Sequence, residues 1–224
     1  GSVNYDTSQF EVTSNNDGAW LYGPLGQSLR MTGANLAGQL DVAVGANIKA
    51  QGVFDTDGND ITFRSYESLQ LDGDVIVNTM GGDLNLEAVQ DLTIAGSIST
   101  ANGSIVALAD NIVMNSGTTV NTMGGDLNLG AAQDLTIAGP ISTANGSMVA
   151  TAARNIIMDS DSTIDLGVGS LLMNATEDAT ITGITTSNDN ICSAGQIGCA
   201  VTLLATNVID GGNGHDLQNV FSKI

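Results

Sequence analysis

Acidic and amide side chains at close spacing form the first candidate site of the chain. Residues 55–60 read DTDGND, which brings four oxygen-bearing side chains together: Asp55, Asp57, Asn59 and Asp60. Oxygen ligands at alternate positions of a turn suit Ca²⁺. Tyr66 stands where an EF-hand loop needs a glutamate, and the glycine comes too early, so an EF-hand is excluded. The segment indicates either a calcium-binding corner or an ordinary solvated turn.

A glycine-rich segment near the end of the chain is the second candidate. Residues 211–216 read GGNGHD, which resembles the start of the calcium-binding nonapeptide of RTX proteins. That resemblance implies that Asp216 ligates Ca²⁺, the only cofactor that the sequence suggests. Gln218 stands where the nonapeptide has a large apolar residue, and the segment occurs once. A glycine-rich turn without a metal is therefore the alternative.

The two cysteines form a third candidate pair. Cys192 and Cys199 flank the loop CSAGQIGC. Two cysteines so close in sequence predict a local disulfide, and a disulfide implies an oxidising compartment. A buried, reduced pair is the alternative. Two cysteines without a nearby histidine do not complete a zinc site.

An internal sequence repeat determines where these segments lie in the fold. NTMGGDLNL occurs at 78–86 and again at 121–129, and ISTANGS occurs at 98–104 and at 141–147, so both pairs share an offset of 43 residues. The stretch QDLTIAG recurs with the same offset. A weaker period of 21 and 22 residues divides this unit, with copies that begin at Gly82 and Gly103. Periods of this length are typical of solenoids.

Each copy contains three strand-like runs in which apolar and polar residues alternate, as in Leu92-Thr93-Ile94. The apolar positions recur every 20 to 23 residues and give four ladders: Leu40, Ile61, Leu84, Ile105, Leu127, Met148, Leu171; Ile48, Leu69, Leu92, Ile112, Leu135, Ile156, Ala179; Ala50, Leu71, Ile94, Met114, Ile137, Met158, Ile181; and Val77, Ile98, Val120, Ile141, Ile164, Ile184. Strands that run the same way cannot pair within one copy. They must pair with the equivalent strands of the neighbouring copies.

The sequence therefore predicts an all-β fold, a right-handed parallel β-helix with three short strands per coil. We expect about nine coils of about 21–22 residues each. The right-handed winding follows from the strong preference of parallel crossover connections. A β-sandwich would explain the alternation but not the constant period.

Three regions follow from the fit to this template. Residues 1–17 fit poorly and form an N-terminal cap or the end of a preceding coil. Residues 18–189 are regular coils. Residues 190–224 are an irregular last coil with the Cys192–Cys199 loop and a C-terminal tail. Trp20 and Tyr22, near the first end, are expected to plug the bore or to mark a contact surface.

The charge balance excludes several functions. The chain has 5 basic and 24 acidic residues, a net charge of −19, and its lysines and arginines are scattered, so nucleic-acid binding is excluded. No apolar run reaches the length of a membrane span, so we expect no direct membrane insertion. His215 is the sole histidine, which rules out a Ser-His-Asp set in the coils. We predict that the chain is not an enzyme, unlike the β-helices that degrade pectin.

The pattern GDLxL…xDLTIAGxIxT resembles the filamentous-haemagglutinin-like repeats of large exported bacterial adhesins, over roughly residues 18–212. The resemblance implies an extracellular, cell-surface stalk or adhesin, with roles in cell adhesion and biofilm, and export by two-partner secretion. Its implied partner is a receptor or glycan on a host or neighbouring cell. The alternative function is a glycan- or calcium-binding module, and a β-helix enzyme that degrades polysaccharides is the third candidate. The RTX-like segment makes a type I secreted giant adhesin the competing identity. The initial Gly1-Ser2 leads us to expect an excised piece that continues into further domains.

Overall fold

The computed structural model describes residues 2–5, 11–15, 18–187, 200–211 and 221–222. These residues form strands, bends and turns, and none of them belongs to a helix long and apolar enough to cross a bilayer. The chain winds into coils whose strands lie parallel to the equivalent strands of the next coil. The predicted parallel β-helix is confirmed.

Face 1 of each coil carries the longest strands. Its strands are β3 (Gly18–Leu25), β5 (Gln39–Gly45), β8 (Ile61–Ser65), β11 (Leu84–Ala88), β14 (Ile105–Ala109), β17 (Leu127–Ala131), β20 (Met148–Ala152), β23 (Leu171–Ala175), β26 (Val201–Leu204) and β28 (Phe221–Ser222). Together with an N-terminal strand, β2 (Glu11–Asn15), they form an 11-stranded sheet.

Face 2 follows face 1 in each coil. Its strands are β4 (Leu29–Asn35), β6 (Ile48–Ala50), β9 (Leu69–Leu71), β12 (Asp91–Ile94), β15 (Asn111–Met114), β18 (Leu135–Ile137), β21 (Ile156–Met158), β24 (Asp178–Ile181) and β27 (Asn207–Asp210). The β4 strand is long enough to continue into face 3, where it also pairs with that face's first strand.

Face 3 completes the coil with short strands. They are β7 (Val53–Asp55), β10 (Ile76–Asn78), β13 (Ser97–Ser99), β16 (Thr119–Asn121), β19 (Ile141–Ser142), β22 (Ile164–Asp165) and β25 (Ile184–Thr185). Through β4, faces 2 and 3 and the first strand of the chain, β1 (Ser2–Tyr5), join into one 17-stranded sheet.

Eight coils are complete among the described residues, and β26 and β27 belong to a ninth. The eight coils begin at Gly18, Gly38, Asn59, Gly82, Gly103, Gly125, Gly146 and Gly169, and we number them 1 to 8 in that order. At the N-terminal end β1 pairs with β4 and β2 pairs with β3, in both cases antiparallel. The pairing direction therefore changes at this end of the stack.

The alternating apolar and polar residues of each strand face the core and the surface, respectively. In β17 the side chains of Leu127, Leu129 and Ala131 are buried, while Asn128 and Gly130 occupy the outward positions. The predicted ladders are in register: Leu84 pairs with Ile61 on one side and with Ile105 on the other. Each buried aliphatic side chain contributes roughly 1.5–3 kcal/mol, so the stability of the stack accumulates coil by coil.

Trp20 and Tyr22 do not fill the bore, and the expectation that they plug it is wrong. Ala19 and Leu21 are the inward residues of β3, and both are fully buried. Strand parity then turns the two rings outward, and the Tyr22 side chain is 57% exposed. Among the described residues, the aromatic side chains fully buried inside the stack are Phe54 and Phe63, which meet edge to face at 5.3 Å.

Candidate functional site

The DTDGND segment forms the corner at which face 3 turns into face 1. Asp55 Oδ1 accepts a hydrogen bond from the backbone N–H of Asp57 at 3.1 Å. Thr56 is fully buried, and its hydroxyl donates to the carbonyl oxygen of Asn59. The Asn59 side chain in turn donates to the Thr56 carbonyl at 2.8 Å. Three side chains of the segment are therefore bonded within the turn itself.

The same corner recurs in coils 3 to 6. A buried threonine donates to the carbonyl oxygen three residues ahead in each pair: Thr79 to Gly82, Thr100 to Gly103, Thr122 to Gly125 and Thr143 to Gly146. The residue after each threonine has a positive φ, 50° at Asp57 and 52° at Met80, for example. We call this arrangement the Thr–Gly corner. DTDGND is the Thr–Gly corner of coil 2. The hydrogen bonds of this corner explain why its polar residues are closely spaced.

Asp60 takes part in bonding between coils. Its Oδ1 accepts from the backbone N–H of Asp83 at 2.8 Å, and Asp83 Oδ1 accepts from Ser104 at 2.7 Å. No group of three or more His, Cys, Asp or Glu side chains in the described part of the chain is placed to hold a metal ion. The calcium site at Asp55, Asp57, Asn59 and Asp60 stays a prediction, which a calcium titration of the chain would test.

The other predicted site residues lie outside the described residues. Cys192 and Cys199 fall between the end of coil 8 and β26, and Asp216 falls after β27. The disulfide and the RTX-like calcium ligand therefore stay predictions.

A column of glycines lines the Thr–Gly corner, and sequence reasoning missed its role. A Cβ atom added at Gly103 would lie 1.9 Å from the carbonyl oxygen of Gly82. At Gly125 the corresponding distance to the Gly103 oxygen is 2.1 Å, and at Gly146 the distance to the Gly125 oxygen is 2.0 Å. Backbones of successive coils touch here, so no side chain fits. The signal was present as a glycine at the same place in successive copies.

Acidic and amide side chains alternate along the corner between face 1 and face 2. The column reads Asp91, Asn111, Asp134, Asn155, Asp178 and Asn207. The amide nitrogen of Asn111 lies 2.9 Å from Asp91 Oδ1, and the same bond recurs at 3.0 Å and 2.7 Å in the two later pairs. Coils lie ~4.8 Å apart, so an unbroken column of carboxylates would repel. The alternation gives each carboxylate a donor.

The corner between face 1 and face 2 is one residue shorter in coil 5 than in the other coils from 2 to 8. Glu87 pairs with Leu108, and Leu92 pairs with Ile112. Four residues lie between Glu87 and Leu92, but only three lie between Leu108 and Ile112. Coil 6 returns to four, between Gly130 and Leu135. The missing residue removes one outward side chain between coils 4 and 6, and it leaves a notch at this corner.

The notch is part of a groove of about 630 Å³ that runs across coils 3 to 6. Small inward residues form its floor: Ser65, Ala88, Ala109 and Ala131. Larger side chains from coils 3, 4 and 5 form its walls: Arg64, Tyr66, Glu87, Val89, Leu108 and Asp110. Gly130 and Ala132 line the opposite end, where the short side chains leave it open. We call it the coil-5 groove.

One ion pair sets the electrostatics at the wide end of this groove. Arg64 Nε donates to Glu87 Oε2 at 2.7 Å, with both side chains about two-fifths exposed. The hydrogen bond to Glu87, followed by the charge of that carboxylate, raises the pKa of Arg64, which stays cationic. On the same face, burial and then the Asp41 carboxylate raise the pKa of Tyr22, whose hydroxyl donates to Asp41 Oδ2 at 3.4 Å.

No protein-family model, curated protein or solved structure matches this chain. The parallel β-helix fold therefore rests on the strand pairing and on the repeat.

Proposed function

We propose that the chain is a structural and adhesive segment of a large extracellular bacterial surface protein. One observation carries the proposal: the register of strand pairing continues through eight coils on all three faces. Each coil is hydrogen-bonded to the coil before and the coil after it. Such a stack holds two points at a fixed distance, which is what a stalk or a presenting module must do.

The dimensions of the stack support this role. Coils spaced ~4.8 Å apart give eight coils a length of about 38 Å, and a longer array of the same coils would extend in proportion. The GDLNL and QDLTIAG motifs, which resemble repeats of exported adhesins, lie on faces 1 and 2 of this stack. The net charge of −19 favours solubility and opposes association between copies.

The proposal names a class of partner and a location. The chain acts outside the cell, and it contacts a receptor or glycan on a host or neighbouring cell. The continuous strand pairing along each face supports contact along a face rather than chemistry at one point. The proposal therefore includes the absence of catalytic activity.

Adhesion of coated microspheres tests the proposal. Beads that carry the whole chain are expected to attach to cultured epithelial cells, or to bacterial cells, in larger numbers than beads that carry an unrelated protein of similar net charge. Equal attachment of the two bead types would contradict the adhesive role. Release of fragments from pectin-like polysaccharides by the chain would contradict the absence of catalysis.

A further inference from the structure

The coil-5 groove holds polar groups that the coil stack leaves unused. Arg64 bonds to Glu87 through Nε alone, and no described residue bonds to its terminal nitrogens. The Asp110 carboxylate and the Tyr66 hydroxyl likewise make no hydrogen bond to a described side chain or backbone group. In the neighbouring coils the polar side chains of this corner do pair, as Gln133 and Asp134 do with Arg154.

The groove also exposes large apolar side chains to solvent. Tyr66 is 56% exposed, Val89 57% and Leu108 46%. Below them lie the methyl groups of Ala88, Ala109 and Ala131. A groove of this size with a few convergent polar groups is typical of a small-ligand site.

The signs of the charges restrict the ligand. An anion in the groove would meet the carboxylates of Glu87 and Asp110 on a chain of net charge −19. A cation would meet the guanidinium of Arg64. A neutral ligand meets no repulsion, and it can use the guanidinium as a donor and the carboxylates as acceptors.

A saccharide has the matching chemistry. Each hydroxyl group donates and accepts, so it can bond to a guanidinium and to a carboxylate at once. The C–H face of a sugar ring is apolar and stacks on an exposed aromatic ring such as that of Tyr66. The alanine floor leaves room for a flat ring to lie along the groove.

The two near-identical copies of the repeat differ where the groove lies. Between 78–104 and 121–147 the sequence changes at three places, and two of them line the groove: Glu87 corresponds to Gly130, and Val89 to Ala132. Outward residues beside the groove do not change, since Asn85 corresponds to Asn128. The larger side chains thus wall one end, and their smaller counterparts leave the other end open.

We propose that the coil-5 groove binds a neutral oligosaccharide. Tyr66 stacks on one sugar ring, while Arg64 and Asp110 bond to hydroxyl groups about two coils apart, or ~10 Å. This site does not depend on the proposed stalk role, because it uses side chains that the stack does not need.

An array of neutral and acidic oligosaccharides, probed with the whole labelled chain, tests the proposal. We expect neutral oligosaccharides to bind and acidic ones to bind less. Calorimetry with the strongest neutral oligosaccharide then measures the affinity of four variants. Tyr66→Ala is compared with Tyr22→Ala, which removes an equally exposed ring of face 1 outside the groove. Gly130→Phe, which fills the groove, is compared with Thr151→Phe in the next coil.

The paired variants decide the outcome. Tyr66→Ala and Gly130→Phe are expected to weaken binding by about tenfold or more, whereas Tyr22→Ala and Thr151→Phe leave it unchanged. No saccharide bound, or equal loss within each pair, would overturn the proposal. Stronger binding of a basic peptide than of any saccharide would overturn it as well. None of these results decides whether coated beads adhere, so the stalk proposal is tested separately.

Discussion

Two corners of the same coils follow opposite rules. The Thr–Gly corner repeats the same threonine hydrogen bond in coils 3 to 6, with a tight glycine contact between successive coils. The corner between face 1 and face 2 varies, and in coil 5 it loses a residue and opens a groove. The repeat is therefore strict where backbones of successive coils touch, and it is free where side chains face solvent.

Glycines in two neighbouring coils show the contrast. A Cβ atom at Gly103 would collide with the Gly82 backbone oxygen at 1.9 Å, whereas a Cβ atom at Gly130 would meet side-chain atoms, the Cδ2 atom of Leu108 at 2.8 Å and the Oγ1 atom of Thr151 at 3.7 Å. The Gly82 carbonyl oxygen is held in the corner by the buried Thr79 hydroxyl, but the end of an exposed leucine side chain can rotate. Gly103 is required by the fold, and Gly130 is not.

The variants Gly103→Ala and Gly130→Ala test most directly whether the two corners differ in their effect on stability. We expect Gly103→Ala to lower the free energy of unfolding by at least about 4 kcal/mol, because two coils must separate to admit the methyl group. Gly130→Ala should change it by less than about 0.5 kcal/mol. Urea unfolding followed by circular dichroism measures both. Similar losses in the two variants would show that the corners do not differ.

Ile137→Ala probes the core that both corners enclose. Ile137 is fully buried, and it lies between Met114 and Met158 in the inward ladder of face 2. The cavity and the lost burial should cost about 3 kcal/mol. Thr136→Ala, on the outward side of the same strand, is the control and should cost far less in the same unfolding experiment. A small loss for Ile137→Ala would mean that the ladder is loosely packed.

Thr100→Val tests the hydrogen bond of the Thr–Gly corner. The hydroxyl of Thr100 is buried and donates to the Gly103 carbonyl, and valine keeps the shape but removes the donor. We expect a loss of about 1–2 kcal/mol in the free energy of unfolding. Thr93→Val, on an outward position of β12, serves as the control. Equal effects at the two positions would rule out a structural role for the corner hydroxyl.

Tyr22 on the outward face gives the smallest expected effect. Burial and the Asp41 carboxylate raise its pKa above the ordinary value of 10.0. The native protein holds the phenolic proton more tightly than the unfolded chain, so this contribution to stability is complete below pH 10 and declines as the pH rises through the native pKa. Ultraviolet titration of a Tyr5→Phe, Tyr66→Phe variant would follow Tyr22 alone.

Asp41→Asn separates the two causes of that shift. The substitution removes the negative charge but leaves the ring where it is, so the pKa of Tyr22 should fall part of the way toward its ordinary value. An unchanged titration curve would mean that Asp41 does not act on the phenol.

The sequence sufficed to predict the fold because alternation and a constant period act together. Alternation marks which side chains are buried, and the period fixes which residues pair, so the sequence alone matches Leu84 with Ile61 and Ile105. The same reasoning failed for Trp20 and Tyr22, where large rings near an end suggested a plug. Parity along β3 places the smaller Ala19 and Leu21 inside.

The functional features were harder to predict, because they depend on contacts between coils. The spacing of 20 residues from Leu92 to Ile112 hinted at the short corner, but it was within the variation of the repeat. The calcium site at DTDGND stays a prediction, and the hydrogen bonds of this segment to neighbouring coils cannot be read from the sequence. Asp60, for example, bonds to a residue 23 positions away.

Excision of residues 82–124 tests most directly the claim that the coils are interchangeable units of length. Residues 78–86 and 121–129 are identical, so the excision removes coils 4 and 5 and leaves an unchanged NTMGGDLNL sequence at the junction. Small-angle X-ray scattering should show a particle shorter by about 10 Å, with cooperative unfolding retained. An unchanged length, or a chain that no longer folds, would contradict the account.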